Sequence, residues 1–346
     1  MTAAHTSCCI EVHARPLVRS MDHVKRVDGS RTCPATRRNA PHRVVRSAST
    51  LVSFAATVSP DVAQETAYSS NSTEHSSKAL KQQSSGASHL KPFYPEKTIN
   101  CSDEEWKARV DLAAIYRVCH NLGFNEGINN HLTAVVPGMP GHFLVFAFGL
   151  LWSEVTASNL LLMDHQGNVV RGEGHPEATA FWIHSRIHDV HPAAGCVVHT
   201  HQPHATALTL LEDPTLLQVH QNSMRFYNDI AYDHEYNGIV LDDDEGKRIA
   251  NIMQGKKVLL AANHGVIVAT ETIAEAFDYL YFLERAAEVQ LKALAAGKPL
   301  KLIDEAVCME TCEKFTKSGV AKEYAGLHLE AFKRQMLAGK DADFCT

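Results

Sequence analysis

The sequence predicts a layered α/β domain of about 200 residues, and three observations carry that prediction. Short apolar runs of strand length, rich in β-branched and aromatic residues, alternate with stretches of helical spacing between residues 101 and 295. Gly and Pro turns punctuate them. A hydrophobic fraction of 45% over 346 residues is enough for a core, while every apolar run is cut well short of the roughly 20 residues that cross a bilayer.

In chain order, Ser102-Asp103-Glu104-Glu105 is a capping box that opens a helix. Trp106, Val110, Ala113, Ala114 and Val118 follow at helical spacing, and Gly123 supplies a stop. Strands are expected at Leu132 to Val136, Phe143 to Phe148, Asn168 to Val170, Cys196 to His201, Val258 to Ala262 and Val266 to Ala269. Helices are expected at Pro176 to His188, Pro203 to Leu211, Asp243 to Met253 and Ile273 to Ala295.

Charge divides the chain. Residues 1–100 hold 13 Lys/Arg against 7 Asp/Glu and the remainder 20 against 32, so +6 precedes −12. The acidic body speaks against a nucleic-acid surface. The domain is drawn at 96–300, followed by a helical C-terminal extension over 301–346. Residues 1–95, basic and Ser-rich (Ser69, Ser70, Ser72, Ser76, Ser77), have too little apolar pattern to offset chain entropy and are expected to be disordered. Arg15, Arg19, Arg31, Arg37, Arg38, Arg43 and Arg46 against Glu11, Asp22 and Asp28 suit a transit peptide. A mitochondrial address therefore stands beside the cytoplasm as the expected compartment. Nine cysteines with no C-x-x-C pair argue for a reducing environment.

Of 21 histidines, 14 fall between His120 and His264. In Val197-Val198-His199-Thr200-His201, positions i and i+2 of a strand point the same way, so His199 and His201 can converge on one ion. Two ligands bind weakly, and His264, in a turn between two short strands, is the natural third. Three imidazoles with a fourth position open suit catalytic Zn2+ and equally Fe2+. His184 and His188, spaced i, i+4 on a helix, read either as further ligands or as hydrogen-bonded core residues. The turn-rich run Gly127 to Thr133, which contains Asn130 and His131, either holds an anionic substrate or simply connects two elements. Neither G-x-G-x-x-G, G-x-x-x-x-G-K-[ST] nor G-x-S-x-G is present, so dinucleotide, phosphate-loop and serine-hydrolase chemistry lack support.

Five blocks then fall in a recognisable order: Asn130 to Thr133, Phe148 to Ser158, Ala180 to His188, Cys196 to His201 and Asn263-His264-Gly265. Over about residues 105–295 the chain resembles the class II aldolase/adducin family. The resemblance implies a three-layer α/β/α sandwich on a mainly antiparallel central sheet, and a homotetramer with sites near subunit interfaces. It assigns His199, His201 and His264 to the metal. The aldolases' acid/base glutamate, however, is replaced here by Ala180, and a methyl group transfers no proton. Glu177, one turn earlier, is the candidate substitute, with a metal-bound water or His220 or Tyr232 of a neighbouring subunit as alternatives. His131 stands where the aldolases grip phosphate with asparagine, and Phe148-Gly149 replaces their Thr-Gly turn. Asn130, His131 and Gly149 are therefore expected to line a site for a small non-phosphorylated carbonyl or hydroxy-acid substrate. The blocks lie nearer the adducin branch, whose head serves a cytoskeletal protein rather than a known enzyme, and a non-catalytic adducin-like module, actin-binding or oligomerising, is the competing expectation. The acidic Asp341-Ala342-Asp343 stretch and the −12 body weigh against an actin surface.

Overall fold

A computed structural model describes residues 91–191, 193–316 and 320–346. The expectations of disorder and targeting for the leading segment fall, up to residue 90, outside the described residues. Helix α1 (Asp103–Leu122) begins and ends as its sequence dictates. Ser102 Oγ accepts the Glu105 amide at 3.0 Å, three acids sit in the first turn where the helix dipole favours them, and Gly123 closes the helix at φ 73°.

Eight strands form one sheet in the order β4-β3-β2-β1-β5-β8-β7-β6. They are β1 (His131–Val135), β2 (His142–Val145), β3 (Leu161–Asp164), β4 (Val169–Arg171), β5 (Cys196–Thr200), β6 (Ile230–Asp233), β7 (Val258–Ala261) and β8 (Gly265–Thr270). Every neighbouring pair is antiparallel except β6 with β7. The mainly antiparallel α/β architecture is thus the expected one. The sheet buries both faces. Cys196, Val198, Leu260, Val266 and Val268 join one core, to which α1 and α5 (Ile273–Leu294) contribute. Val197, Leu259, Ile267 and Ala269 face a second, smaller core built with α2 (Ala178–Val190) and α4 (Asp243–Met253), with the short α3 (Pro203–Thr209) between them in the chain.

Two strands went unforeseen in the sequence. The Leu161-Leu162-Met163 run of β3 lacks the β-branched residues that mark a strand, and pairing between β2 and β4 imposes the extended form. The four residues of β6 are too few to show a period, and parallel pairing to β7 defines them. The strand expected to reach Phe148 stops at Val145, and the one expected to include His201 stops at Thr200.

Residues outside 96–300 belong to the same packed unit. Helices α6 (Glu305–Thr316) and α7 (Val320–Leu337) lie after residue 301. Leu329 and Met336 of α7 and Phe344 beyond it enter the main core, and the last residues bond back to the body through Ala157 N–H to Phe344 O and Ser158 N–H to Thr346 O, both 2.9 Å. At the other end, the Phe93 amide donates to Glu330 at 3.2 Å and the Tyr94 hydroxyl to Asp111 at 2.9 Å. Lys333 is fully buried between Asp111 at 2.9 Å and Glu330 at 2.6 Å, so its charge is paired rather than stranded. Among the described residues no helix is long and apolar enough to cross a membrane.

Candidate metal centre

The site forms where β5, β7 and β8 end together. Strands β1 and β5 set His131 directly opposite His199, so their rings share the sheet face that α2 covers, with centroids 5.2 Å apart. His201 lies one residue beyond β5. The β7–β8 turn puts Asn263 in the left-handed region at φ 55°, and His264 follows. Gly265 then starts β8 against the end of β5. A Cβ there would stand 2.6 Å from the Thr200 carbonyl oxygen and 2.6 Å from His201 Cδ2, so only glycine permits this approach.

Ring centroids of the three histidines are separated by 5.0 Å (His199–His201), 4.7 Å (His199–His264) and 5.0 Å (His201–His264), and one nitrogen from each lies within 4.8 Å of the others. His199 Nδ1–H donates to the Val266 carbonyl at 2.9 Å, which fixes the tautomer and leaves Nε2 as a bare lone pair. His201 Nε2 is buried without a partner. Burial holds the His199 and His201 rings below the usual histidine range, the former far below. Burial pushes His264 down to about 4, helped by His201 and opposed by Asp233. Three neutral imidazoles with free nitrogens facing one point are the donor set of a divalent cation, and the residues fit such an ion.

Glu177 is the N-cap of α2 rather than a residue of its first turn. Its carboxylate turns back over the helix end, accepting the Ala180 amide at 3.0 Å and the Thr179 hydroxyl. It stands 3.7 Å from His131 Nε2. That spacing would make an ion pair only with a charged ring, and burial depresses His131 to about 3, so the contact is to a neutral imidazole.

Of the other sequence candidates, Asn130 adopts φ 67° and its Oδ1 accepts the Glu126 amide at 3.0 Å, shaping the turn before β1. Gly149, at φ 102°, sits in the turn where the Phe148 amide donates to the His175 carbonyl at 2.8 Å, beside the start of α2. His220 and Tyr232 are not brought to the triad within the chain. Tyr232 shares its register with Leu260 and Val266 and so points to the opposite sheet face, its hydroxyl accepting the Leu216 amide at 3.2 Å. The His220 amide donates to Ser223 Oγ at 3.3 Å, ahead of a short 3₁₀ segment.

His184 and His188 take the hydrogen-bonded option. His184 Nε2 meets His131 Nδ1 at 2.8 Å and its Nδ1 meets Thr133 Oγ1 at 2.7 Å. His188 Nε2 meets the same hydroxyl at 2.9 Å, and its Nδ1–H donates to the Ala194 carbonyl at 2.9 Å. The sequence gives Thr133 and Thr179 no role of their own. The available signal was an i, i+2 His-Thr pair on a strand facing an i, i+4 His-His pair on a helix.

A mainly antiparallel sheet with an H-x-H strand end and a third histidine from the β7–β8 turn defines an α/β protein in which three histidines converge as a donor set that could hold a divalent cation. Comparison with known proteins names the family. The profile described as "Class II Aldolase and Adducin N-terminal domain" matches residues 110–291, and the chain belongs to that family. A Caulobacter vibrioides protein named as a candidate class 2 aldolase is 37% identical over 198 residues, covering 57% of this chain and 76% of its own length. Alpha-adducin of Mus musculus is 38% identical over 200 residues, which is 56% of this chain but only 27% of the adducin. Among solved structures, an aldolase II superfamily protein from Pseudomonas syringae superposes with a TM-score of 0.65 at 33% identity over 71% of this chain and 98% of its own. An L-fuculose 1-phosphate aldolase from Glaciozyma antarctica PI12 superposes with 0.63 at 28% identity over 75% and 99%.

Proposed function

We infer that this chain is a metal-dependent, lyase-like enzyme acting on a small non-phosphorylated carbonyl or hydroxy-acid compound, with His199, His201 and His264 holding Zn2+ or, alternatively, Fe2+. The observation that carries the reading is the convergence of three neutral imidazoles within 4.8 Å, one of them oriented by a backbone carbonyl. Such an ion, when bound, acts as a Lewis acid that stabilises developing oxyanion charge. The chain's own residues supply the rest. Glu177 is the proton carrier, its carboxylate held by the Ala180 amide and the Thr179 hydroxyl. His131 lines the floor beside His199. The Thr179 hydroxyl is engaged by both Glu177 and His131, which leaves it no free donor for a phosphate and supports a non-phosphorylated substrate. A homotetramer in the cytoplasm is the assembly and compartment that accompany this reading, and His220 and Tyr232 would reach a site only from a neighbouring copy. The test is to purify the full chain, quantify bound metal by mass spectrometry and repeat with His199→Ala. Stoichiometric zinc or iron in the wild type and its loss in the variant are expected, and a metal-free wild type in zinc-supplemented buffer sinks the proposal.

The 38% identity to alpha-adducin favours a second reading, in which the fold serves as an oligomeric binding platform for the actin cytoskeleton. It expects co-sedimentation with filamentous actin that His201→Ala leaves unchanged.

A further inference from the structure

We propose that Glu284 is a positioning residue for the three histidines, and that it acts through α3, which stands as a strut between His201 and His264. The purpose of the strut, holding two metal ligands at a fixed spacing, rests on the functional reading above, whereas the mechanical link does not.

His199 needs no such help, because its ring is anchored on the Val266 carbonyl of the neighbouring strand. His201 has left β5 and keeps a buried Nε2 without a partner, and His264 sits in a turn, so the spacing between these two is set by backbone. Helix α3 connects to both. It starts two residues after His201, where Pro203 takes the first helical position with its φ already suited to a helix. At the other end the Thr209 carbonyl accepts the Asn263 amide at 3.0 Å, and His264 is the next residue. The strut between them is about 10 Å long at 1.5 Å per residue.

A helix of two turns does not stand on its own and has to be held. Ala205 and Leu208 anchor its inner side in the core. Its start is held by α5 rather than by its own N-cap, since Gln202 makes no capping bond. The buried Glu284 carboxylate accepts the His204 and Ala205 amides, both at 2.9 Å, and His204 Nδ1–H at 2.7 Å. Two orphan amides of the first turn are thereby satisfied, and so is a carboxylate that burial would otherwise penalise. Gln202 instead ties the segment down on either side of its own backbone. Its Nε2 donates to the carbonyl of Leu280, one turn before Glu284 on α5, at 3.2 Å, and its Oε1 accepts the Thr200 hydroxyl at 3.2 Å. An ordinary cap comes from an adjacent residue and steadies one helix. This one comes from 80 residues away and joins α5, α3 and the two ligand-bearing turns into one unit, so a shift at the start of α3 is carried along the helix to Asn263 and His264.

The test reads both ends of the strut in the full chain. Glu284→Gln keeps the shape of the side chain but turns an N–H group toward one of its three donors. Leu162→Ala, in β3 beyond β1 and β2, is the comparison variant that loses stability without touching α3. In metal-free protein, hydrogen–deuterium exchange resolved to single residues is expected to quicken at least tenfold at the Asn263 amide in Glu284→Gln and to stay unchanged there in Leu162→Ala. Zinc affinity, from competition with a chromophoric chelator, is expected to weaken about 10–100-fold in Glu284→Gln and to hold in Leu162→Ala. If exchange quickens only at His204 and Ala205, or equally at Asn263 in both variants, Glu284 is a local cap and the proposal is overturned. A quickened Asn263 with unchanged zinc affinity overturns it too, because the link then positions nothing. Should Glu284→Gln not fold, Ala207→Gly decides: it softens α3 from within and is expected to move both readouts several-fold, and no change in either overturns the strut. Failure of the functional reading looks different. A wild type that binds no zinc, with Asn263 still responding to Glu284→Gln, upholds the strut and removes the metal it was to serve.

Discussion

Two sets of histidines share one face of the sheet and meet where His131 lies 5.2 Å from His199, yet they leave their ring nitrogens in opposite states. In the triad, one nitrogen of His199 is spent on a carbonyl, and His201 keeps a buried nitrogen with no partner at all. In the second set, both ring nitrogens of His131, His184 and His188 have partners between 2.7 and 3.2 Å. Burial of polar atoms carries a penalty unless they are satisfied, so the triad is an unmet demand for a ligand and the second set is not. Histidine count alone separates nothing here; what each nitrogen faces does.

The largest effects should fall on opposite observables. His199→Ala removes a ligand and its carbonyl anchor, and zinc affinity should drop by more than the 10–100-fold that loss of a supporting hydrogen bond typically costs, with stability changed less. Isothermal titration with Zn2+ checks this. His184→Ala should do the converse. It strands Thr133 and His131 beside a small cavity and should cost about 2–4 kcal/mol by urea unfolding while zinc still binds. Equal losses of zinc in both variants would erase the distinction.

Acid should expose the second set as well. The rings of His131 and His188 titrate near 3 and 4 when folded but near 6.5 when unfolded, so between those values the unfolded chain binds more protons and stability falls as pH falls. The contribution is fully present above about pH 6.5 and is lost progressively down to about pH 4, by up to about 3 kcal/mol for His188. Denaturant melts of metal-free protein at pH 7 and 5 measure it, and a flat profile contradicts the buried neutral rings.

How far these contrasts were legible in the sequence depends on how local their causes are. The Ser102 cap and Gly123 stop of α1 are written in adjacent residues, as is the H-x-H spacing on β5. His264 was legible because a turn between two short strands has few other places to be. The choice between ligand and core residue for His184 was not legible, because its partner Thr133 lies 51 residues away and reaches it only when α2 packs on β1. Helical spacing shows that His184 and His188 share a face and cannot show what faces them. For Glu177 the sequence places a carboxylate one turn before Ala180 that could reach back; in the structure it stands at the N-cap and its side chain accepts the Ala180 amide.

Gly265 sharpens the triad side at smaller scale. In Gly265→Ala the new methyl meets backbone at Thr200 as well as the His201 ring, so the ends of β5 and β8 must part. The expected cost is about 1–3 kcal/mol, with zinc affinity weakened about 10–100-fold as His201 swings away. The same change at Gly123, where a Cβ meets nothing within 4 Å, should cost the strain of its positive φ and leave zinc binding untouched.

The smallest structural effect is expected at Glu177, which borders the second set at His131. Glu177→Gln keeps an oxygen to accept the Ala180 amide, so the α2 cap survives and stability should shift by less than about 0.5 kcal/mol, with zinc content unchanged. An amide cannot shuttle a proton at neutral pH, so any turnover found for the wild type should fall by about 10²–10⁴-fold. That split, a nearly silent variant in folding and metal binding yet a severe one in rate, is what distinguishes a proton carrier from a helix cap. Glu177→Ala provides the contrast, since it should lose the rate and also about 1 kcal/mol of cap stability. If Glu177→Gln retained wild-type turnover, the carboxylate would be a cap alone, and the proton would come from a metal-bound water or from a neighbouring copy's His220 or Tyr232.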